Sequence, residues 1–209
     1  MCIAILNTNK KLTHDQLLNS YLRNPDGAGL MWSDGKYLQT YVNTMENGMD
    51  DFYDFVDMYN KAWIATKFSK ATNPSIGVHF RLATHGAITE ENTHPFIYTA
   101  GDEQIAIMHN GILSGYDRDH SKSDTQAFVE RFLERNQLNP FAGKHHQKAI
   151  EAEVKRSGYN KVVFMDSRGE TFVAQEHLGN YEGGSWFSNY GYASRYGYAY
   201  SKPYSKYAY

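Results

Sequence analysis

Residues 76–86 read Ile76-Gly77-Val78-His79-Phe80-Arg81-Leu82-Ala83-Thr84-His85-Gly86. Ile76, Val78, Phe80 and Leu82 alternate with Gly77, His79 and Arg81, the period-two signature of a strand. On either side of this stretch the same signal recurs. Cys2-Ile3-Ala4-Ile5-Leu6 is a short apolar run that reads as a buried strand, and Gln104 to His109 reads as another. Residues 29–32 and 37–41 flank Ser33-Asp34-Gly35-Lys36, and residues 161–166 and 170–174 flank Ser167-Arg168-Gly169, so each set predicts a hairpin. Helices fall between the strands. Thr13 with Gln16, and Ser123 with Gln126, have capping-box form ahead of Leu17, Leu18, Tyr21 and Leu22, and of Phe128, Phe132 and Leu133. Met49, Phe52, Val56, Tyr59 and Trp63 recur at steps of three and four, which predicts an amphipathic helix, and another is expected over 147–156. Asn24-Pro25-Asp26-Gly27 is a strong turn signal. Paired strands, hairpin connections and intervening helices predict an α+β fold with antiparallel sheets.

Composition narrows the function classes. A chain of 209 residues fits one domain, expected over 1–189, with an appendage. From Tyr181 onward lie nine of the 17 tyrosines, spaced by Gly, Ser, Ala and Lys, so 190–209 reads as a low-complexity, disordered and basic tail. The lone cysteine excludes an internal disulfide and, without an apolar run long enough to span a bilayer or a signal-peptide pattern, predicts a cytoplasmic protein. A net charge of -2 with mixed signs argues against a dedicated nucleic-acid surface. The nine histidines include no HExxH or Cys/His cluster, and neither a metal nor an organic cofactor is expected.

Four segments carry chemistry. Removal of Met1 would leave Cys2 with a thiol and a free α-amine on one residue. The amine, with a pKa of ~7.7–8.0, can take a proton near neutrality, and the thiol, at ~8.5, is the strongest nucleophile available there. Asn110-Gly111 follows a predicted strand and could present a side-chain amide and a backbone N–H to an oxyanion. Arg81 could clamp a carboxylate bidentately, and Asp124, at a helix start, could hold an ammonium. Each has a plainer reading: Asn-Gly as a common turn dipeptide, Arg81 as a paired surface charge, Asp124 as a helix-terminus acid.

Together these motifs resemble the glutaminase domain of class II glutamine amidotransferases, in the N-terminal-nucleophile hydrolase superfamily. The matching pieces are Met1-Cys2, Asn24-Pro25-Asp26-Gly27-Ala28-Gly29, His79 to Gly86, Asn92-Thr93-His94-Pro95, His109-Asn110-Gly111, Ser123-Asp124-Thr125 and Trp186-Phe187-Ser188-Asn189. The resemblance implies a four-layer αββα sandwich with Cys2 at the end of a central strand. It implies that the thiol attacks the side-chain amide of L-glutamine and that water resolves the thioester. Asn110 and Gly111 would form the oxyanion hole, Arg81 would bind the substrate carboxylate and Asp124 its amino group. Thr84 and His85 would line the pocket, with Gly86 allowing close approach. Several relatives carry an aromatic where this chain has Leu82; a backbone contact there would survive the change. The Asn24–Gly29 turn would brace the Cys2 strand. Domains of this kind are usually fused to a synthase that consumes the ammonia, and the expected partner is a synthase on a separate chain. Two other readings compete: a γ-glutamyl amide hydrolase, and a non-catalytic scaffold acting through its aromatic tail, on single-stranded nucleic acid or on itself.

Overall fold

Alternation along residues 76–80 sorts the strand between two different neighbours. In the computed structural model, which describes residues 2–83, 87–117 and 122–193, strand β4 spans Ile76–Phe80. Ile76, Val78 and Phe80 enter one apolar cluster, while Gly77 and His79 face the other way. The strand stops at Phe80, so Leu82, expected to continue it, lies in the segment that follows.

The remaining strands are β1 (Ile3–Asn7), β2 (Ala28–Ser33), β3 (Leu38–Asn43), β5 (Phe96–Ala100), β6 (Glu103–Asn110), β7 (Lys161–Asp166), β8 (Thr171–Ala174), β9 (Asn180–Glu182) and β10 (Ser185–Phe187). They form two antiparallel sheets, ordered β3-β2-β4-β1-β10-β9 and β5-β6-β7-β8. The larger sheet is not a simple meander. β4 inserts between β1 and β2, pairing Ala4 with His79 on one side and Gly29 with His79 on the other.

Helices α1 (His14–Arg23) and α2 (Met49–Lys67) cover the outer face of the six-stranded sheet. There Phe52, Phe55 and Tyr59 meet Ile3, Ile5, Leu30, Val78, Phe80 and Phe187. Met49, counted in the expected stripe, is 38% exposed; the buried stripe runs Phe52, Phe55, Tyr59, Ala62 and Thr66. Helix α3 (Asp124–Phe128), a π-helical turn over Val129–Glu134, and α4 (Lys144–Arg156) cover the four-stranded sheet. Phe128, Leu133, Ile150 and Val154 pack there against Ile105, Ile107, Val162 and Phe164. Ala4, Leu6, Met31, Ala106, Met108, Val163, Met165 and Trp186 fill the space between the sheets. The chain is thus an αββα sandwich. A strand buried on both faces reads as an unbroken apolar run, which is why Ile3–Leu6 shows no polar alternation.

Both capping boxes form. Thr13 Oγ1 accepts from Gln16 N at 3.1 Å while Gln16 Oε1 accepts from Thr13 N at 2.9 Å, and Ser123 and Gln126 repeat the exchange. The second box matters for function, because it fixes the helix start that carries Asp124.

The boundary expected at 189–190 falls inside the packed domain. Tyr190–Tyr192 form a 3-10 turn. Tyr192 is 3% exposed, its ring stacks on Phe187 at 3.8 Å, and its hydroxyl donates to Glu182 at 2.8 Å. Arg23 adds bonds to the carbonyls of Tyr190 and Ala193, both at 3.0 Å. These four residues are held because a tyrosine that finds an aromatic neighbour and an acceptor is a core residue, whatever the composition around it. The rest of the tail, 194–209, lies outside the described residues.

Candidate active site

Cys2 precedes β1 directly, and its half-buried side chain reaches the segment after β4. Leu82 N donates to Cys2 Sγ at 3.4 Å, and Sγ lies 3.6 Å from Leu82 O. The Leu82 backbone therefore grips the sulfur itself. Burial pushes the thiol pKa up, the Leu82 N–H and Arg81 oppose that shift, and Asp124 adds to it. The Cys2 carbonyl is held on the other side. It accepts from Asn110 Nδ2 and, at 2.8 Å, from Asn189 Nδ2. Asn189 in turn accepts from Gly191 N at 2.8 Å, and Ser188 exchanges two bonds with Ala4, both at 2.9 Å.

Arg81 is 4% exposed and donates from Nη1 to Ala87 O at 3.0 Å. Its backbone is clasped by the preceding turn: Arg81 N donates to Gly27 O at 2.7 Å and Asp26 N donates to Arg81 O at 2.9 Å. Asp26 Oδ2 also accepts from Ala83 N at 2.8 Å. The Asn24–Gly29 turn thus braces the Arg81 segment and β4, rather than the Cys2 strand as expected, because β4 lies between β1 and β2. Gly29 is required there, since a Cβ would drive into the His94 carbonyl.

Asp124 is 8% exposed; its Oδ2 accepts from Leu113 N at 2.7 Å, and its Oδ1 lies 3.3 Å from Thr125 Oγ1. Gly111 has φ +143°, and a Cβ on it would overlap Asn160 Oδ1 and lie 2.9 Å from Tyr159 O. Cys2, Arg81, Leu82, Gly111 and Asp124 line one cavity of about 30 Å³ together with Asn92, His94, His109 and Ser123. Asn110 reaches it through the Cys2 carbonyl. Thr84, His85 and Gly86, the remaining expected pocket residues, lie outside the described residues.

A buried histidine cluster supports this cavity, and it was not read from sequence. His79 Nε2 bonds His109 O at 2.9 Å, linking the two sheets. His109 Nε2 meets Asn160 Oδ1 at 2.9 Å and its Nδ1 meets Thr125 Oγ1 at 2.9 Å. His94 Nε2 lies 3.2 Å from the same Thr125 oxygen. With Asn160 presenting its carbonyl oxygen, His109 donates from Nε2, and Thr125 Oγ1 links both histidines to Asp124 Oδ1, to which it donates at 3.3 Å. Desolvation pushes His79 down to about 3, drives His94 well below its ordinary value, and lowers His109 against the pull of Asp124. The network fixes the spacing between the Arg81 strand, the Asn110 strand and the Asp124 helix. The one signal for it in the sequence was the recurrence of histidine inside apolar runs, as in His79 and His109.

Two other hollows are larger. One of about 760 Å³ sits at the far end of β1, between Leu6, Asn73, Glu151, Thr171, Glu176, His177 and Tyr181. The other, about 300 Å³, adjoins Lys10 to Thr13 and Glu182. Neither touches Cys2. Among the described residues no three His, Cys, Asp or Glu side chains gather to hold a metal ion, and no helix is long and apolar enough to cross a membrane.

The chain is similar to known proteins. The family model described as glutamine amidotransferases class-II matches residues 67–142. The chain is 28% identical over 158 residues to the isomerizing glutamine–fructose-6-phosphate aminotransferase of Methanocaldococcus jannaschii, covering 69% of this chain and 12% of that protein. It is 28% identical over 111 residues to an uncharacterized protein of the same organism, covering 52% of this chain and 29% of that one. The solved structure of the allosteric regulatory enzyme of purine biosynthesis superposes with a TM-score of 0.56 at 17% identity, over 90% of this chain and 41% of that chain, which supports the fold. Residues 67–142 are thus similar to class II glutamine amidotransferases, and the fold is shared with the purine-biosynthesis enzyme. The chain spans under a third of the length of the curated relatives it matches.

Proposed function

We propose that the protein hydrolyses the side-chain amide of L-glutamine with Cys2 as nucleophile. Loss of Met1 exposes the Cys2 amine, which takes the thiol proton. The sulfur attacks the amide carbon, and the oxyanion is met by Gly111 N–H and by the second hydrogen of Asn110 Nδ2, whose first hydrogen serves the Cys2 carbonyl. Collapse expels ammonia with a proton returned from the amine, and water then cleaves the thioester to glutamate. Arg81 binds the α-carboxylate and Asp124 the α-ammonium, with Oδ1 as the freer oxygen. Thr84, His85 and Gly86 complete the pocket.

The observation that carries this reading is the placement of Sγ. It is held by the Leu82 backbone on the wall of the cavity that Arg81, Gly111 and Asp124 also line. The ammonia passes to an acceptor enzyme, which we place on a separate chain. The fructose-6-phosphate aminotransferase relative illustrates a sugar-phosphate acceptor.

The test is glutamate and ammonia release by purified protein whose terminus is verified by intact mass. Cys2→Ala should abolish release while thermal unfolding stays near that of the wild type. Absence of release from both glutamine and a γ-glutamyl peptide, with Cys2 at the terminus, would refute the proposal. Affinity capture with the processed protein tests the separate-chain acceptor.

A further inference from the structure

We infer that Lys161 is a positioning residue for Asn110: its ammonium hydrogen-bonds Asn110 Oδ1 and holds the amide with Nδ2 toward Cys2. The inference rests on the oxyanion role proposed for Asn110.

Three observations carry it. First, Lys161 is 2% exposed, yet among the described residues no carboxylate pairs with it; its Nζ sits 4.1 Å from the centre of the Tyr159 ring. That ring is 62% exposed, so a cation–π contact with it gives no reason to bury a lysine. Second, Asn110 is fully buried and its Oδ1 has no hydrogen-bond partner. Nδ2 donates to the Cys2 carbonyl, so the amide orientation is fixed by chemistry and Oδ1 must point elsewhere. Third, Asn110 and Lys161 are directly opposed in the β6–β7 register. Directly opposed residues share a face, with Cβ atoms ~4.5–5.5 Å apart, well within the reach of a lysine side chain. Both continue the row of Met108 and Val163, which faces the other sheet.

A largely buried lysine with no carboxylate beside it among the described residues and a buried acceptor lacking a donor thus stand side by side. Rotation of the lysine head from the Tyr159 ring onto Oδ1 satisfies both. It would also stop the amide from flipping, which would set Oδ1 against the Cys2 carbonyl, and it would polarise the Nδ2 hydrogens toward a developing oxyanion. Desolvation lowers the Lys161 pKa to about 8, as expected for an ammonium still short of an acceptor.

The test compares Lys161→Met and Lys161→Arg in the full chain. Lys161→Met should lower kcat for glutamine by about 10-fold or more with KM nearly unchanged, the signature of a group acting only in the transition state, and Lys161→Arg should restore most of the loss. Independently of activity, the Asn110 side-chain amide resonance, identified by its loss in Asn110→Ala, should move in Lys161→Met and return toward its wild-type position in Lys161→Arg. An unmoved resonance, or an unchanged kcat in an active enzyme, overturns the inference. A wild type without glutaminase activity would instead remove the functional reading, while the resonance still decides whether Lys161 touches Asn110.

Discussion

Gly111→Ala is the perturbation whose consequence the structure specifies most closely. Gly111 combines φ +143° with no room for a Cβ, which would overlap Asn160 Oδ1 and crowd Tyr159 O at 2.9 Å. Asn160 is fully buried and its Oδ1 accepts from His109 Nε2, so it cannot yield without leaving that N–H unmet. Backbone strain of about 1–3 kcal/mol adds to a comparable penalty for the orphaned histidine, giving roughly 2–6 kcal/mol. For a domain of this size each kcal/mol lowers Tm by about 2–4 °C. Gly101→Ala is the internal control. Gly101 also has positive φ (+65°), but nothing lies within 4 Å of its Cβ position. Urea unfolding of both variants separates strain from crowding. Gly111→Ala should lose at least about 1–3 kcal/mol more than Gly101→Ala, the part owed to the unmet histidine. Equal losses in the two would mean that the Asn160–His109 contact contributes nothing, and the account of the cluster as a rigid support would be wrong.

The other expectations concern separate parts of the molecule. Tyr59→Phe removes a buried hydroxyl that donates to Asn7 Oδ1 and accepts from Leu12 N, both at 2.8 Å. Two buried groups lose their partner, so urea unfolding should show a loss of roughly 2–4 kcal/mol. Arg81→Lys should raise KM for glutamine by about 10-fold or more while changing kcat less, because a point charge cannot replace a bidentate fork; steady-state kinetics checks the split. The folded-state pKa of Lys161 is depressed from 10.5 to about 8. Between those values the unfolded chain binds more protons than the native one, so the contribution of Lys161 to stability rises with pH from about 8 to 10.5. The wild type should therefore gain stability on Lys161→Met across that window. Chemical denaturation of both proteins at several pH values measures it, and parallel curves would contradict the burial argument.

Much of the fold was legible because its signals are local. Both capping boxes formed where Thr13–Gln16 and Ser123–Gln126 predicted them, since the four residues of a box are their own partners. Alternation predicted β4, and the two hairpins formed around their turn residues. β5, β9 and β10 were not read. β9 and β10 are three residues each, too short for a period to register; β10 exists because β1 offers Ile5 and Leu6 as pairing partners from the other end of the chain, and β9 then pairs with β10. The residues proposed for chemistry were nameable as types, an arginine, an aspartate and an Asn-Gly pair. Their supports were not. His94, His109 and Asn189 stood in the matching motifs without a role, and Asn160 looks like an ordinary polar residue until burial removes water as its alternative partner.

By itself, then, the sequence determined the local elements and the inventory of reactive groups, because helix caps, strand period and side-chain chemistry depend on neighbours a few residues away. Tertiary structure decided which groups meet. The Leu82 backbone holds a sulfur 80 positions distant, and Asn110 caps a carbonyl 108 positions away. Those pairings follow from sheet order, with β4 seated between β1 and β2, and from the cross-sheet bond of His79 to His109. No local pattern encodes such contacts, since only the burial and registry of the assembled sheets make them more favourable than water.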